Sequence, residues 1–508
     1  MRAPHARRSL QRRLRRRAHM ASESEHTLLG AQLRRLGRHS AVYGLGGIVS
    51  RVLAVFLLPL YTRYLDPGEF GEVGLIVALS AVLVTILRLG ISSAFFRFYF
   101  DAKEPAQRRV VVRTSFWFTM GMATLGLAAG LALAAPVADL LALDDPNLVR
   151  AGAVGIWAQM NYEQLTALFR AEERSTAFVL ASLANVLLTI GATVLLVVAL
   201  EQGSLGVIVG NFTGTLAVYL ALLSVHREQL GLQFSRPLLR EMNRFGIPLV
   251  PAALALIAVN FSDRFFLVHL ADLEEVGLYE IGVRIASAMV LLLTAFRMAW
   301  PAFAYSIDDD EDAKRTYAFV LTYLVVVASW LALALGLLAP WLVRLLTQPE
   351  FYEGERVVAP LAFGGMAYAA YIVMAIGVGR AKRTQFNWLI TGAAAAVNVA
   401  LNLLLIPRYG MIGAALATVA AYGVMFLAMT WYAQRVFPTP YQWRRVLTAV
   451  AVAVTLLLIG RSLEGLGPAL ALTMLYPLAL LPLGFYLPQE RARLSALRRP
   501  LRARGRAS

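Results

Sequence analysis

Apolar runs of about 20 residues, separated by short polar stretches, recur along almost the whole chain, and none alternates in the two-residue rhythm of a half-buried strand. A helix needs about 20 mostly apolar residues, at about 1.5 Å each, to cross about 30 Å of hydrocarbon. The pattern therefore predicts about fourteen spanning helices, near 39–62, 71–98, 114–136, 149–169, 176–200, 204–226, 246–269, 276–302, 316–338, 357–379, 385–406, 411–434, 446–461 and 468–487. Backbone amides facing lipid must be paired within their own segment, so the class is an all-α polytopic membrane protein.

Polar punctuation repeats within this pattern. YTRYLDPGEFGEVGLI, from Tyr61 to Ile76, returns more loosely as LVHLADLEEVGLYEIG, from Leu267 to Gly282, with Asp66/Asp272, Glu69/Glu275 and Gly71/Gly277 in register. Each copy lies between the first and second helices of a six-helix block, which predicts two parallel lobes related by an axis along the membrane normal. The expected organisation is a basic N-terminal tail at 1–38, an N-lobe at 39–226, a linker at 227–245, a C-lobe at 246–434, a C-terminal helix pair at 435–487 and a basic tail at 488–508. Asp66, Pro67 and Glu69 have the spacing of an N-cap, a first-turn proline and a reciprocal capping acid; Asp272 and Glu275 repeat it. Gly44, Gly46 and Gly47 in the first helix, and Pro248 and Pro251 at the matching place in the seventh, are candidate bends, or else sites of close helix packing.

Composition agrees with a bilayer as solvent: 58% of residues are hydrophobic and 16% charged. The net charge of +17 would suggest nucleic acid in a soluble protein, but its placement excludes that reading. With a cytoplasmic N-terminus, only Arg63, Arg150, Arg344, Arg356, Arg408 and Arg461 fall on outer loops, and the inner loops and tails carry most of the other cations. RRSLQRRLRRR and RARLSALRRPLRARGR read as topology anchors for anionic lipid headgroups. No removable signal peptide is predicted, and Met20 is an alternative start. The absence of cysteine excludes disulfide and thiol chemistry. There is no phosphate-binding loop, HExxH or zinc-ligand spacing, so no cofactor or metal is expected. DDDED at 308–312 reads as a solvated acidic loop. Every loop is too short to fold as a catalytic domain, so the chain is not expected to be an enzyme.

Charges inside the spans carry the remaining information, because each costs about 2.5–3.5 kcal/mol to insert and so faces a cavity or a partner. Arg51 lies mid-way along the first helix and Arg284 along the eighth; Arg88 and Glu163 fall in the inner half, Asp263 and Arg264 toward the outer surface, and Arg297 near the inner interface. Glu280 precedes Arg284 by one turn, a spacing suited to an ion pair, and Asp263 adjoins Arg264. Arg51 and Arg88 have no local acid, so either Glu163 reaches one of them or the cavity stays net positive. A positive cavity suits an anionic passenger, since guanidinium presents a planar fork to phosphate. The plainer alternative is arginines satisfied by acids and carbonyls of neighbouring helices. Gln159, Asn161, Tyr162, Asn211, Asn260, Gln385, Asn398 and Asn402 line the same space or bond helix to helix.

The stretches LGRHSAVYGLGGIVSRVLAVFLLPLYTRYLDPGEFGEVGL, ISSAFFRFYFD and FSDRFFLVHLADLEEVGLYEIGVRIASAMVLLLTAFRMAWPAFAYS resemble the polysaccharide transporter, or oligosaccharide flippase, family. The resemblance spans about residues 37–434. It implies a V-shaped pair of lobes working by alternating access on a polyprenyl-diphosphate-linked oligosaccharide for O-antigen, capsule or exopolysaccharide assembly at the inner membrane. On that pattern Arg51 and Arg284, then Arg88 and Arg264, form the cationic substrate cavity, Arg97 and Arg297 anchor or gate the inner surface, and Glu163 or Asp263 couples an ion gradient. It also implies a monomer that meets polysaccharide polymerase and chain-length proteins. A cation-coupled drug exporter, a lipid II flippase and a membrane glycosyltransferase or polymerase are the competing readings.

Overall fold

The computed structural model describes residues 57–488 and 490, apart from 464. The first expected helix lies largely outside these residues, as do Gly44, Gly46, Gly47, Arg51, the basic N-terminal tail and the arginine run at the C-terminus. Among the described residues all regular structure is helical. Up to residue 225 the chain forms α1 (Leu58–Tyr64), α2 (Pro67–Arg88), α3 (Ile91–Asp101), α4 (Pro105–Ala132), α5 (Ala134–Leu140), α6 (Pro146–Ala171), α7 (Ser175–Val194), which ends in a π-helical turn at Leu195–Ala199, and α8 (Gly203–Val225). Then follow α9 (Arg236–Gly246), a 3-10 turn at Ile247–Leu249, α10 (Val250–Leu270), α11 (Leu273–Ala286), α12 (Ala288–Tyr305), α13 (Asp310–Leu346) and α14 (Glu355–Arg380). The chain closes with α15 (Asn387–Val436), α16 (Trp443–Ser462) and α17 (Leu466–Ala479).

Among the described residues, 10 helices are long and apolar enough to cross a membrane. Thr384–Val436 is one of the ten, α6 is not among them and α17 is shorter, so the total of fourteen stays open. The long unit is not one rod. Gly410 has φ 52 and ψ −134, values closed to most residues with a side chain, and Pro407 precedes it. Asn398 Nδ2 donates to Thr418 Oγ1 at 3.5 Å, a residue that would lie about 30 Å away along a straight helix, so the chain folds back at Gly410.

The expected segment 71–98 is also broken. α2 stops at Arg88 because Leu89 and Gly90 turn left-handed, with φ 47 and 73. A Cβ on Gly90 would lie 2.2 Å from the Gly246 carbonyl, so this joint is pressed directly on the junction of α9 and α10. The segment 276–302 divides similarly at Ser287, whose hydroxyl donates to the Arg284 carbonyl. The linker 227–245 is ordered against α4: Arg113 Nε donates to the Gln229 carbonyl at 3.0 Å and Trp117 Nε1 to the Gly231 carbonyl at 3.2 Å.

The repeated acids begin helices. Asp66 accepts the Glu69 amide at 2.8 Å and Glu69 accepts the Asp66 amide at 3.2 Å, a complete capping box with Pro67 in the first turn. Asp272 accepts the Glu275 amide at 2.8 Å, but there the reciprocal bond is replaced: Glu275 accepts the Met411 amide at 2.6 Å, an N–H exposed by the reversal at Gly410. The Glu69 carboxylate lies likewise against Gly203, at the start of α8. Each repeat thus ties the start of its second helix to the turn before its last.

The run DDDED is a joint rather than a free loop. Asp309 caps α13 by accepting the Asp312 amide at 2.8 Å, and Asp310 pairs with Arg380 at 2.7 Å. Arg380 also donates to the carbonyls of Ile307 and Asp308, at 2.7 and 2.9 Å.

A close backbone contact joins the two repeated stretches. A Cβ on Gly71 of α2 would lie 2.3 Å from the Leu273 carbonyl, and one on Gly277 of α11 would lie 1.8 Å from the Pro67 carbonyl. Lipid-buried helices gain little from hydrophobic exclusion and hold together by such close approach. Gly71→Leu should therefore force the helices apart and lower stability by about 1–3 kcal/mol, the usual cost of overpacking. Gly121→Ala, where no atom lies within 4 Å, should not lower the unfolding temperature in detergent.

A cluster of charges beneath the helix crossing

Arg88 closes α2 and turns toward α6, where its guanidinium meets Glu163 at 2.7 Å. Gln159, one turn earlier on α6, donates to the same carboxylate at 2.9 Å. Of the two outcomes expected for Glu163, the structure takes the one in which it neutralises an arginine.

Asp263 and Arg264 are both buried on α10, at 1% and 3% exposure. Adjacent positions on a helix point apart, but the long Arg264 side chain folds back, so that one terminal nitrogen lies 2.7 Å from Asp263 and 2.6 Å from the Asn260 carbonyl. Its Nε donates to Glu280 of α11 at 2.6 Å. Tyr279 donates its hydroxyl to the other Asp263 oxygen, and its ring, with that of Phe261, flanks the guanidinium at 5.1 and 5.3 Å.

This corrects the local pairing expected between Glu280 and Arg284. Sequence spacing offered Glu280 a partner one turn away on its own helix, but Arg264 approaches from α10 and takes it. Arg284 is left on aromatic faces, 4.4 Å from the Phe70 ring centre on α2 and 5.6 Å from that of Tyr61 on α1. Among the described residues no carboxylate lies within ion-pair distance of it.

Of the arginines expected in the cationic cavity, Arg88 and Arg264 carry carboxylate partners. Those pairings offset the cost of burying the two charges, while Arg284 rests on ring faces, with no ion pair among the described residues. Arg51 lies outside the described residues.

A cavity of about 330 Å³ opens between α10, α11, α12, α14 and the second half of α15. Asn260, Asp263 and Arg264 form one wall and Tyr368 and Tyr422 another, with Arg297 lining it as well. Tyr422 donates to Asn260 Oδ1 at 2.8 Å, and Tyr368 lies 3.5 Å from an Arg297 nitrogen. Arg97 is elsewhere: exposed on α3, it is 3.8 Å from Asp101 and 4.5 Å from the Phe245 ring centre. Asp66, Glu69, Asp272 and Glu275 stay at helix starts, outside this cavity.

Tyr279, Tyr368, Tyr422 and the bridging part of Glu280 were not visible in the sequence. A tyrosine at helical spacing reads as core, and only the fold shows whose hydroxyl reaches a carboxylate or an amide. The single available signal was Asn260, whose polar group in an apolar run called for such a partner.

A family model described as "Polysaccharide biosynthesis protein" matches residues 60–354. The uncharacterized membrane protein MJ1068 of Methanocaldococcus jannaschii is 22% identical over 229 residues, 44% of this chain and 44% of that protein. The match thus spans less than half the length of that curated relative. The lipid II flippase MurJ, in an inward closed conformation, superposes with a TM-score of 0.66 at 13% identity, over 86% of this chain and 98% of that one. A multidrug resistance MATE family transporter of the MOP superfamily, inward-facing, gives 0.64 at 14% identity, over 81% and 95%.

The charge cluster makes a stability statement. Arg264→Leu should cost about 3–5 kcal/mol by leaving Asp263 and Glu280 buried and unpaired, whereas adding Asp263→Asn and Glu280→Gln should restore much of the loss. Thermal unfolding in detergent checks both; equal loss in the single and triple variants would contradict the pairing.

Proposed function

This multi-pass membrane protein belongs to the polysaccharide biosynthesis protein family, and we propose that it is a flippase for a polyprenyl-diphosphate-linked oligosaccharide destined for surface polysaccharide. In this reading residues 39–226 and 246–434 act as two lobes that rock about the crossing of α2 and α11, exposing the space between them to either side in turn. The site is the inner membrane with both termini cytoplasmic, where the arginine-rich tails meet anionic lipid. Polymerase and chain-length proteins are the partners that would receive the product.

The observation that carries this reading is Arg284: a span guanidinium on the aromatic faces of Phe70 and Tyr61, without a carboxylate among the described residues. Such a group can exchange weak ring contacts for the stronger charge-assisted bonds of a diphosphate. Arg51 would join it from the first helix. Arg88 and Arg264, already paired, serve the substrate indirectly by fixing α2 on α6 and α10 on α11. Asp263 and Glu163 are the groups through which an ion gradient would act, since displacing their arginine partners changes helix contacts. The resemblance in fold to a lipid II flippase supports a lipid-linked passenger.

A drug exporter of the MATE type is the second reading, favoured by Asp263 and Glu280 outnumbering the single Arg264 between them. Reconstituted vesicles separate the two. Lipid-diphosphate-linked glycan should reach the opposite leaflet with wild-type protein and fall by about tenfold or more for Arg284→Gln, with partial recovery for Arg284→Lys. Uptake of a cationic dye, with glycan movement indifferent to Arg284, would replace the flippase reading by the exporter.

A further inference from the structure

One face of the helical stretch Arg236–Leu270 changes character along its length. On α9, Arg236, Arg240 and Arg244 recur every four residues, all exposed. None has a carboxylate partner among the described residues. With Asn243 and Ile247 they line a shallow hollow. The same face continues through exposed Ile247 and Pro251, then meets α2. There Leu254, Ala258 and Phe261 oppose Leu75, Ala78 and Val82 across a groove of about 390 Å³. At 1.5 Å per residue, Arg244 stands about 15 Å along the helix from Leu254. Between hollow and groove sits Gly246, pressed against the break in α2 and α3 at Gly90.

Resting on the flippase reading, we propose that this face seats the lipid carrier itself, with the diphosphate on Arg240 and Arg244 and the first isoprenoid units in the groove between α2 and α10. The chemistry changes in the order that such a molecule requires. Guanidinium rungs about 6 Å apart present forks to two linked phosphates. An apolar groove lined by Leu254, Ala258, Phe261, Leu75, Ala78 and Val82 then follows along the same helix face. Ser262, a polar group on the groove wall, already donates to Asn398 Oδ1 at 3.0 Å, so an isoprenoid chain leaves that hydroxyl satisfied. The site is separate from Arg284: it holds the carrier at the edge of the protein, while Arg284 lies beneath the crossing of α2 and α11. A phospholipid phosphate shares part of this chemistry. Arg240 and Arg244, without a carboxylate partner among the described residues, offer two forks to two linked phosphates, which fit a diphosphate better than a monophosphate.

Binding to the purified full chain in phosphatidylcholine nanodiscs tests the proposal, with undecaprenyl diphosphate, inorganic diphosphate and phosphatidylglycerol as probes. Undecaprenyl diphosphate should bind, and the double variant Arg240→Gln/Arg244→Gln should weaken it by about tenfold or more. Ala258→Trp should weaken undecaprenyl diphosphate while leaving inorganic diphosphate unchanged; Val82→Trp, on the opposite wall, provides the same comparison should Ala258→Trp not fold. Unaltered affinity in the arginine variant, or in the folded tryptophan variant, overturns the proposal. Equal competition by phosphatidylglycerol overturns it as well and marks a phospholipid surface. If the arginine variant transports glycan at the wild-type rate while Arg284→Gln does not, this site fails and the flippase reading stands. If wild-type protein moves no lipid-linked glycan, both fail.

Discussion

The crossing of α2 and α11 at Gly71 and Gly277 sets the geometry on which the charged contacts depend. With no side chain on either residue, the backbones approach until a Cβ would meet a carbonyl at about 2 Å. Three residues along each helix, Glu280 is thereby laid against Gly74, within reach of Arg264. One turn further, Arg284 comes over Phe70. Glu280 there pairs with Arg264 of α10 rather than with Arg284, the partner nearest in sequence.

That pairing divides the charges into two kinds. Arg88 with Glu163, and Arg264 with Asp263 and Glu280, are closed sets whose desolvation is offset within the protein. Arg284 is open, resting on ring faces that offer a cation a weaker and more easily exchanged contact than a carboxylate does. In the flippase reading proposed above, the fixed pairs keep the helices in place and Arg284 is the cation left for the substrate. Arg236, Arg240 and Arg244 on α9, without a carboxylate partner among the described residues, precede the point where the helical stretch becomes apolar.

The repeated acids reveal a different use of charge. Asp66 and Asp272 cap helix starts, as their spacing indicated, because a capping bond spans three residues and is written entirely in local sequence. Glu275 reaches Met411, well over a hundred residues away, and no local rule foresees that bond. The same distinction separates the DDDED run, whose Asp309 cap is local, from Arg380, which crosses from α14 to hold it.

Sequence alone determined the all-helical membrane class, the repeated acidic stretch and the helix caps. These follow from hydropathy and short-range spacing, which the bilayer and the backbone read directly. Tertiary structure decided the breaks at Gly90 and Gly410, the pairing of Glu280 with Arg264, the aromatic seat of Arg284 and the tyrosines around Asn260. A break needs a neighbour that presses on the backbone, and an ion pair goes to whichever opposite charge the helices bring nearest. Both are set by how closely α2, α10 and α11 pack, a distance fixed by small residues whose importance appears only once their partners are known.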